Sequence, residues 1–444
     1  MKYLSRSLLV IFFLSLIVAC ATRPGVHSRE LRSLIDESPV FQRSFTGFAL
    51  YDAEQDEIIY EYQSDKYFTP ASNTKIFTLY AGLKLLGDSI PALQYRRENN
   101  SLVFTGTGDP TFLHPDIESI DTTYQQQIYR FLRENNDKLV YTERPTTDNY
   151  FGPGWAWGDY NYYYSSEKSV FPIYANVVRF QFQAGIVKPL TYPQYFTSFV
   201  QGFADDSQSS YLRRDQHQNA FYYGTKADTL AFTRDVPFIQ STPLVLNLLQ
   251  DTLQRRVNHL LDYTGNMTDT LYSLPVDSVY QRMMQNSDNF IAEQLLLVCS
   301  STQDTLSSEW AIDYVTENFL SDLPDEPIWV DGSGLSRYNL QTPRSILALL
   351  RKVDDELSDE RIKTIFPAGG VSGTIENWYA NPDGEPYVFA KTGTLSNKHA
   401  LSGFLFTHSG KKLIFSFMHN NYITSSSVLK VEMEQVLQQL YENY

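Results

Sequence analysis

Cysteine is nearly missing from this chain. Two occur in 444 residues, Cys20 and Cys299, too few for a disulfide framework. The seven histidines (His27, His114, His217, His259, His399, His408 and His419) include no His-Glu-x-x-His or other close ligand pair. A catalytic metal is therefore not expected, and no cofactor motif stands out. Positive charge is also short: 36 lysines and arginines face 51 acids, a formal net charge of −15. That balance argues against nucleic acid as a partner and otherwise serves solubility. Internal repeats, low-complexity tracts and heptad runs are absent. So is a Gly-x-Ser-x-Gly elbow, which weakens an α/β-hydrolase reading. The stretch "TGTGDPTF" (105–112) has a Gly-x-Gly but no third glycine and no following helix, so it reads as a tight turn.

What is present begins with a targeting signal. Lys2 and Arg6 precede an apolar run from Leu8 to Val18 that is too short for an ordinary membrane span. It ends in "IVAC" (17–20), which resembles the lipobox of bacterial lipoproteins. That resemblance implies cleavage after residue 19, acylation of Cys20 and attachment to a membrane without a spanning helix. The cleaved segment carries two bases and no acid, so the charge becomes −17. "ATRPGVHSRE" then reads as a polar tether, 20–30. "CAT" has no aspartate after the cysteine, which under the usual enterobacterial sorting rule points to the outer membrane, on the periplasmic side. Cys299, left without a partner, follows "IAEQLLLV" and reads as a buried core residue.

The remaining chain is long enough for two or three domains. Its 31 tyrosines and 28 phenylalanines favour strands and aromatic-lined clefts. "FTGFALYDAEQDEIIYEYQ" (45–63) and "ALSGFLFTHSGKKLIFSFMH" (400–419) each read as a hairpin, the second turning at Ser409-Gly410. The last segment predicts a serine-capped helix with Val428, Val436, Leu437 and Leu440 inward. Strands at both ends with helices between predict an α+β fold with an antiparallel sheet built from both termini. Between them, 90–268 alternates short aromatic strands with turn residues and reads as an inserted, mainly β module. The principal domain is then 31–89 together with 269–444.

Three short stretches carry chemistry. "TPASNTKIFTLYAGLK" (69–84) places Ser72 and Lys75 one helical turn apart, followed by Ile76, Leu79, Tyr80, Leu83 and Leu86 at helical spacing. "NSDN" puts Ser287, Asp288 and Asn289 between helical segments. "YVFAKTGTLS" puts Lys391, Thr392 and Gly393 at the end of an alternating strand. A serine hydroxyl needs a base, and a lysine buried beside a second cation such as Lys391 loses its proton more readily. Ser287 fits a proton relay to a leaving amine, and Asn289 an orienting group for the substrate amide and Lys75. Lys391 and Thr392 fit a grip on a terminal carboxylate. Gly393 permits close approach of a ligand, and the amides of Ser72 and Thr394 fit an oxyanion hole. The whole reads as acyl transfer through a serine ester.

Ser-x-x-Lys, Ser-Asp-Asn and Lys-Thr-Gly in this order resemble the motif set of class A β-lactamases and penicillin-binding proteins. The 215 residues from Ser72 to Ser287 (287 − 72) exceed the class A spacing and leave room for an insert. In detail the chain resembles the class C low-molecular-mass penicillin-binding proteins, the D-alanyl-D-alanine carboxypeptidase/endopeptidases. "GTGDPTF", "FGPGWAWGDYNYYYS" (151–165), "DGSGLSRYN" (331–339) and "GGVSGTI" (369–375) look like further segments of that family. The resemblance implies a hydrolase acting on peptidoglycan stem peptides and cross-links, acylated by β-lactam antibiotics. It also implies that Asp159, Tyr164 and Arg337 contact the diamino acid of the stem peptide; the competing structural reading makes Trp155, Trp157 and Tyr164 packing residues and Asp159 a turn cap. Ser396 stands where a relative can carry a substrate-touching glutamine. Two other functions remain open at this point: a β-lactamase or esterase, against which stand the long insert and the lack of a Glu-x-x-Leu-Asn motif, and a non-catalytic peptidoglycan-binding protein.

Overall fold

The computed structural model describes residues 26–117, 122–203, 211–224, 230–381 and 384–444. The signal segment, Cys20 and most of the tether lie outside these residues. Helix Val26–Asp36 already occupies the last part of the stretch read as tether.

A five-stranded antiparallel sheet joins the two ends of the chain. Its order is Val388–Leu395, Lys398–Phe406, Lys412–Asn420, Phe45–Asp52, Glu57–Tyr62. Side chains alternate across it, as the pleat requires. Phe48, Leu50, Phe415 and Phe417 enter one core with Leu31, Ile35, Leu429, Met433, Val436, Leu437 and Leu440 of the terminal helices. Ala49, Tyr51, Ile414 and Met418 enter a second core on the opposite face, against a body of helices. The C-terminal helix, Ser426–Asn443, is capped by Ser425 as expected. Its inward stripe starts one residue later than predicted. Val428 is 41% exposed and Leu429 is buried, because the capping turn shifts the helical phase.

Helix Asn289–Ser301 is buried on every side from Phe290 onward, the mark of a central element rather than an amphipathic surface one. Cys299 lies within it, fully buried, and burial pushes its thiol well above the ordinary range. This helix packs on helix Lys75–Leu85 and on Ser308–Phe319. The Ser72–Lys75 and Ser287–Asn289 stretches therefore lie on or against this buried helix.

The middle of the chain leaves and returns through paired strands, Ser89–Glu98 and Asp269–Pro275, which run antiparallel with Tyr95 opposite Asp269. The exit strand begins where the insert was expected to have ended. These two strands form a second five-stranded sheet with Ser101–Gly106, Lys138–Tyr141 and Val257–His259. Two three-stranded sheets complete the region, which has its own aromatic-rich core. It is less purely β than its composition suggested. Ser101–Gly106, Lys138–Tyr141 and Val257–His259 pair in parallel, and parallel neighbours need crossovers. Helices Thr122–Arg133 and Thr242–Leu253 supply them. Ile128 and Leu132, one turn apart, carry the buried stripe of the first, with Tyr129 and Phe131 packed beside them.

"TGTGDPTF" is a turn. The Gly108 amide donates to Val170 O at 2.9 Å, and Gln294 of the central helix donates to Gly108 O at 2.8 Å. Asp109 is buried and accepts from the Thr111 amide and hydroxyl. The stretch binds the insert to the central helix.

Candidate active site

Ser72 lies in a single 3-10 turn, Ala71–Thr74, and Lys75 opens the helix behind it. Ala71 has φ 49°, a left-handed conformation that costs a non-glycine residue about 1–3 kcal/mol. The neighbouring backbone holds it there. Gly334 (φ 80°) passes so near that a Cβ on it would lie 1.9 Å from the Ala71 carbonyl oxygen. The backbone amide of Ser72, next in the chain, lies against Gly393 of the strand Val388–Leu395.

Lys75 is fully buried. Its Nζ lies 3.1 Å from Ser72 Oγ, 2.7 Å from Asn289 Oδ1 and 2.7 Å from Ser333 O. Burial pulls its pKa down to about 8, against the opposing pull of Asp331, Glu293 and Asp288. Of the two expected causes, burial is the operative one, and Lys391 is not among the groups that act on Lys75. Lys391 is itself buried and pushed well below the lysine range, first by burial and then by Lys75. Burial disfavours the charge on both ammonium groups, and the Lys75 cation then acts on Lys391.

Ser287 occupies the turn between helices Val276–Gln285 and Asn289–Ser301 with φ 56°. Asp288 caps the second helix by accepting from the Ile291 amide at 3.0 Å. Asn289, at the helix start, donates Nδ2 to Tyr164 O at 3.0 Å, which fixes its Oδ1 toward Lys75. Behind the turn, Asp288 faces Arg282 at 3.6 Å and His114 at 3.7 Å. Asp116 joins Arg282 at 2.7 Å to Arg179 at 2.6 Å on the insert strand Val177–Phe182. The insert is thereby braced against the Ser-Asp-Asn turn.

Across the cleft, Lys391 Nζ donates to Ser287 Oγ at 2.9 Å and to Thr392 O at 2.8 Å. Thr392 Oγ1 donates to Thr374 Oγ1 at 2.7 Å. Gly393 lies against the nucleophile turn: a Cβ there would meet the amide nitrogens of Ser72 and Asn73 at 3.0 Å each. Thr394 is exposed, with its hydroxyl 3.0 Å from His399 Nδ1. The three motifs thus converge on one cleft between the sheet edge and the central helix.

The residues singled out around the cleft divide. Asp159 sits in the 3-10 turn Trp157–Asn161. The Tyr164 hydroxyl is pushed up to about 12 by partial burial and then by the Asp159 charge, so the two face one another. Trp157 is 80% exposed and is no packing residue. Trp155 is a structural residue: its Nε1 donates to Asp331 Oδ2 at 2.9 Å. Arg337 is exposed beside Lys398, whose ammonium is pushed down by burial and then by the guanidinium. Ser396 is exposed in the turn after the Lys-Thr-Gly strand.

Four site residues were not named individually from the sequence, although Asp331, Ser333 and Thr374 lie in the segments 331–339 and 369–375 singled out above. Asp331 accepts from Trp155, Gly334, Ser336 and Asn339 and folds the loop 331–339 around itself. Ser333 gives Lys75 an acceptor, Thr374 gives Thr392 one, and Glu293 accepts from the Ser333 amide at 2.8 Å. All but Glu293 lie in glycine-rich polar stretches between regular elements, where periodicity is silent. Among the described residues no group of three or more His, Cys, Asp or Glu side chains is arranged to hold a metal. No described helix is long and apolar enough to cross a membrane.

Comparison with known proteins agrees with this geometry. The family model for the D-Ala-D-Ala carboxypeptidase 3 (S13) family matches residues 27–229 and 263–443. D-alanyl-D-alanine carboxypeptidase DacB of Haemophilus influenzae is 24% identical, over 96% of this chain and 95% of its own. D-alanyl-D-alanine carboxypeptidase of an Actinomadura species is 26% identical, over 91% and 83%. The crystal structure of penicillin binding protein 4 (dacB) from Haemophilus influenzae superposes with a TM-score of 0.72 at 22% identity, covering 93% of this chain and 99% of that one. A serine and a lysine on the nucleophile turn, a Ser-Asp-Asn turn and a Lys-Thr-Gly strand edge meet here on that fold, and the chain belongs to the S13 family of D-Ala-D-Ala carboxypeptidases, the class C low-molecular-mass penicillin-binding proteins.

Proposed function

We propose that Ser72 is the nucleophile of this serine D-Ala-D-Ala carboxypeptidase/endopeptidase and Lys75 its base. One observation carries the assignment. Of the three groups around Lys75 Nζ, Asn289 Oδ1 and Ser333 O accept only. A neutral amine has two N–H bonds and one lone pair, and the two obligate acceptors take both N–H bonds. The lone pair is left for Ser72, whose hydroxyl alone among the three also donates. Loss of one proton from Lys75 therefore turns the Ser72 contact around and prepares the oxygen for attack.

The steps follow. Ser72 Oγ adds to the carbonyl carbon of the penultimate D-alanine as its proton passes to Lys75 Nζ. The amides of Ser72 and Thr394 receive the oxyanion. The C–N bond breaks as Ser287 Oγ, hydrogen-bonded to Lys391, passes its proton to the leaving amine and takes up the one that Lys75 received, which leaves Lys75 neutral again. Water then attacks the serine ester, giving its proton to the neutral Lys75, which passes one back to Ser72 Oγ as the shortened peptide is released. Thr392 and Lys391 receive the terminal carboxylate, and an arriving anion opposes the burial that disfavours the charge on Lys391. Asn289 orients the peptide amide, while Asp159 facing Tyr164, with Arg337 on the rim, receives the ammonium and carboxylate of a diamino acid. β-Lactams, as strained cyclic amides, acylate the same oxygen.

The same reading places the enzyme in the periplasm, held by acyl chains on Cys20. It is supported by the apolar run from Leu8 to Val18 and the "IVAC" that ends it. Incubation with penicillin followed by peptide mass spectrometry tests the nucleophile. An adduct confined to the peptide containing Ser72 is expected; an adduct on another serine would overturn the assignment.

A further inference from the structure

Glu293 is the least expected charge in the molecule. It is 1% exposed on the central helix, one turn beyond Asn289. Its Oε1 accepts the Ser333 amide at 2.8 Å, and Ser333 O accepts Lys75 Nζ at 2.7 Å. One peptide bond each side of Ser333 thus links the buried carboxyl to the buried amine. The contact is tight, since a Cβ on Gly332 would lie 2.4 Å from Ala292 O and 3.2 Å from Glu293 Cα. Thr78 Oγ1 anchors the same loop through Gly332 O at 2.6 Å.

The second oxygen, Oε2, is buried with no hydrogen-bond partner among the described residues. An ionised carboxylate left half unsatisfied is costly, whereas a protonated one presents a neutral O–H there. Nearby Asp331 differs, because four donors satisfy its two oxygens. Loop support alone explains Oε1. It does not explain an acid, for a glutamine would accept the Ser333 amide equally well.

We infer that Glu293 is a positioning residue whose charge is coupled to that of Lys75 across the Ser333 backbone and so sets the pH at which the base becomes available. Two states with no net charge are open to the pair: ammonium with carboxylate, and amine with carboxylic acid. In the second, Lys75 is the neutral base the chemistry needs. The groups facing Glu293 are consistent with this. Burial raises its pKa, the Asp331 charge adds to the rise, and Lys168 with the Ser333 bond opposes it. Lys168 is itself paired with Asp148 at 2.6 Å, which limits its pull. Reciprocally, Glu293 is among the acids that raise Lys75.

The inference rests on Lys75 being the base, and the experiment separates the two claims. Acylation rates with a chromogenic β-lactam are measured from pH 5 to 10 for the wild type, Glu293→Gln and Glu293→Asp, with thermal unfolding as a check on the fold. Glu293→Gln keeps an acceptor for Ser333 but removes the anion, so Lys75 loses its proton more easily. The acidic limb is expected to move down by about one pH unit, the scale of a neighbouring charge. Glu293→Asp retains the charge and is expected to keep the limb near its wild-type position while lowering the rate through a stretched Ser333 contact. A Glu293→Gln protein with a uniformly lower rate and an unmoved limb would overturn the inference and leave a purely structural role. Should Glu293→Gln not fold, the inference stands on Glu293→Asp, and a limb displaced in that variant as far as the rate falls would overturn it. A wild type showing no acidic limb would instead sink the assignment of Lys75.

Discussion

Gly393 and Ser72 are in backbone contact across the cleft: a Cβ on Gly393 would lie 3.0 Å from the Ser72 amide nitrogen and 2.3 Å from the Pro70 carbonyl oxygen. The sheet edge and the nucleophile turn are therefore pressed together without a side chain between them. That contact bears on the proposed oxyanion hole, whose two amides belong to Ser72 and to Thr394, next after Gly393.

Gly393→Ala tests this directly. The new methyl group meets backbone atoms, which cannot swing away as a flexible side chain does. Overpacking of this kind costs about 1–3 kcal/mol of stability. Displacement of the Ser72 amide is expected to lower the acylation rate by about 10²-fold or more, the scale of one lost oxyanion donor. Thermal unfolding and penicillin acylation read the two effects separately, and near-wild-type acylation would show that the contact is not used.

Lys75 predicts the pH dependence. With its pKa lowered to about 8 by burial, the amine is protonated below that pH and free above it. Acylation should fall about tenfold per unit on the acid side and level off above pH 8. Lys75→Arg keeps a cation that does not deprotonate, so the rate should fall at every pH with no alkaline recovery. Recovery in that variant would assign the base elsewhere.

Ser287 is expected to matter in proportion to the leaving group's need for a proton. Ser287→Ala should lower the hydrolysis of a D-Ala-D-Ala peptide by about 10²–10⁴-fold, the usual range for general acid catalysis. The matching ester, ending in D-lactate, departs more easily and should lose much less. Equal losses on amide and ester, measured as kcat, would point to substrate positioning instead.

Trp155 connects the insert to the loop that faces Lys75. Trp155→Phe removes the donor to Asp331 Oδ2, though that oxygen keeps the Ser336 amide at 2.6 Å. A loss of about 1 kcal/mol is expected, the net worth of one such bond, seen as a lower denaturation midpoint with an unchanged site of acylation.

Much of this was legible beforehand. The terminal hairpins announced themselves by period-two alternation, and the sheet they form is the one expected. Ser72, Lys75, Ser287, Asn289, Lys391, Thr392 and Gly393 were named from three short stretches, and the structure brings all of them to one cleft. The helices Thr122–Arg133 and Thr242–Leu253 were hidden by neighbouring aromatic strands, whose turn residues dominate the local pattern. Asp331, Ser333 and Thr374 were invisible as individuals because their roles depend on backbone paths through glycine-rich loops. Glu293 was hidden differently. It sits in "IAEQLLLV", where a single acid in an apolar helix resembles any surface residue until its burial is known. Burial of Lys75 was expected, but the part given to Lys391 was not met, since sequence shows a second cation but not which of the two acts on the other.

A muropeptide digest is the most direct test of the account. The purified protein and its Ser72→Ala variant would each be incubated with pentapeptide and cross-linked muropeptides, and the products read by mass spectrometry. Loss of a terminal D-alanine or splitting of the dimers by the wild type alone is the predicted result. Equal turnover by the Ser72→Ala variant, or none by either protein, would contradict it.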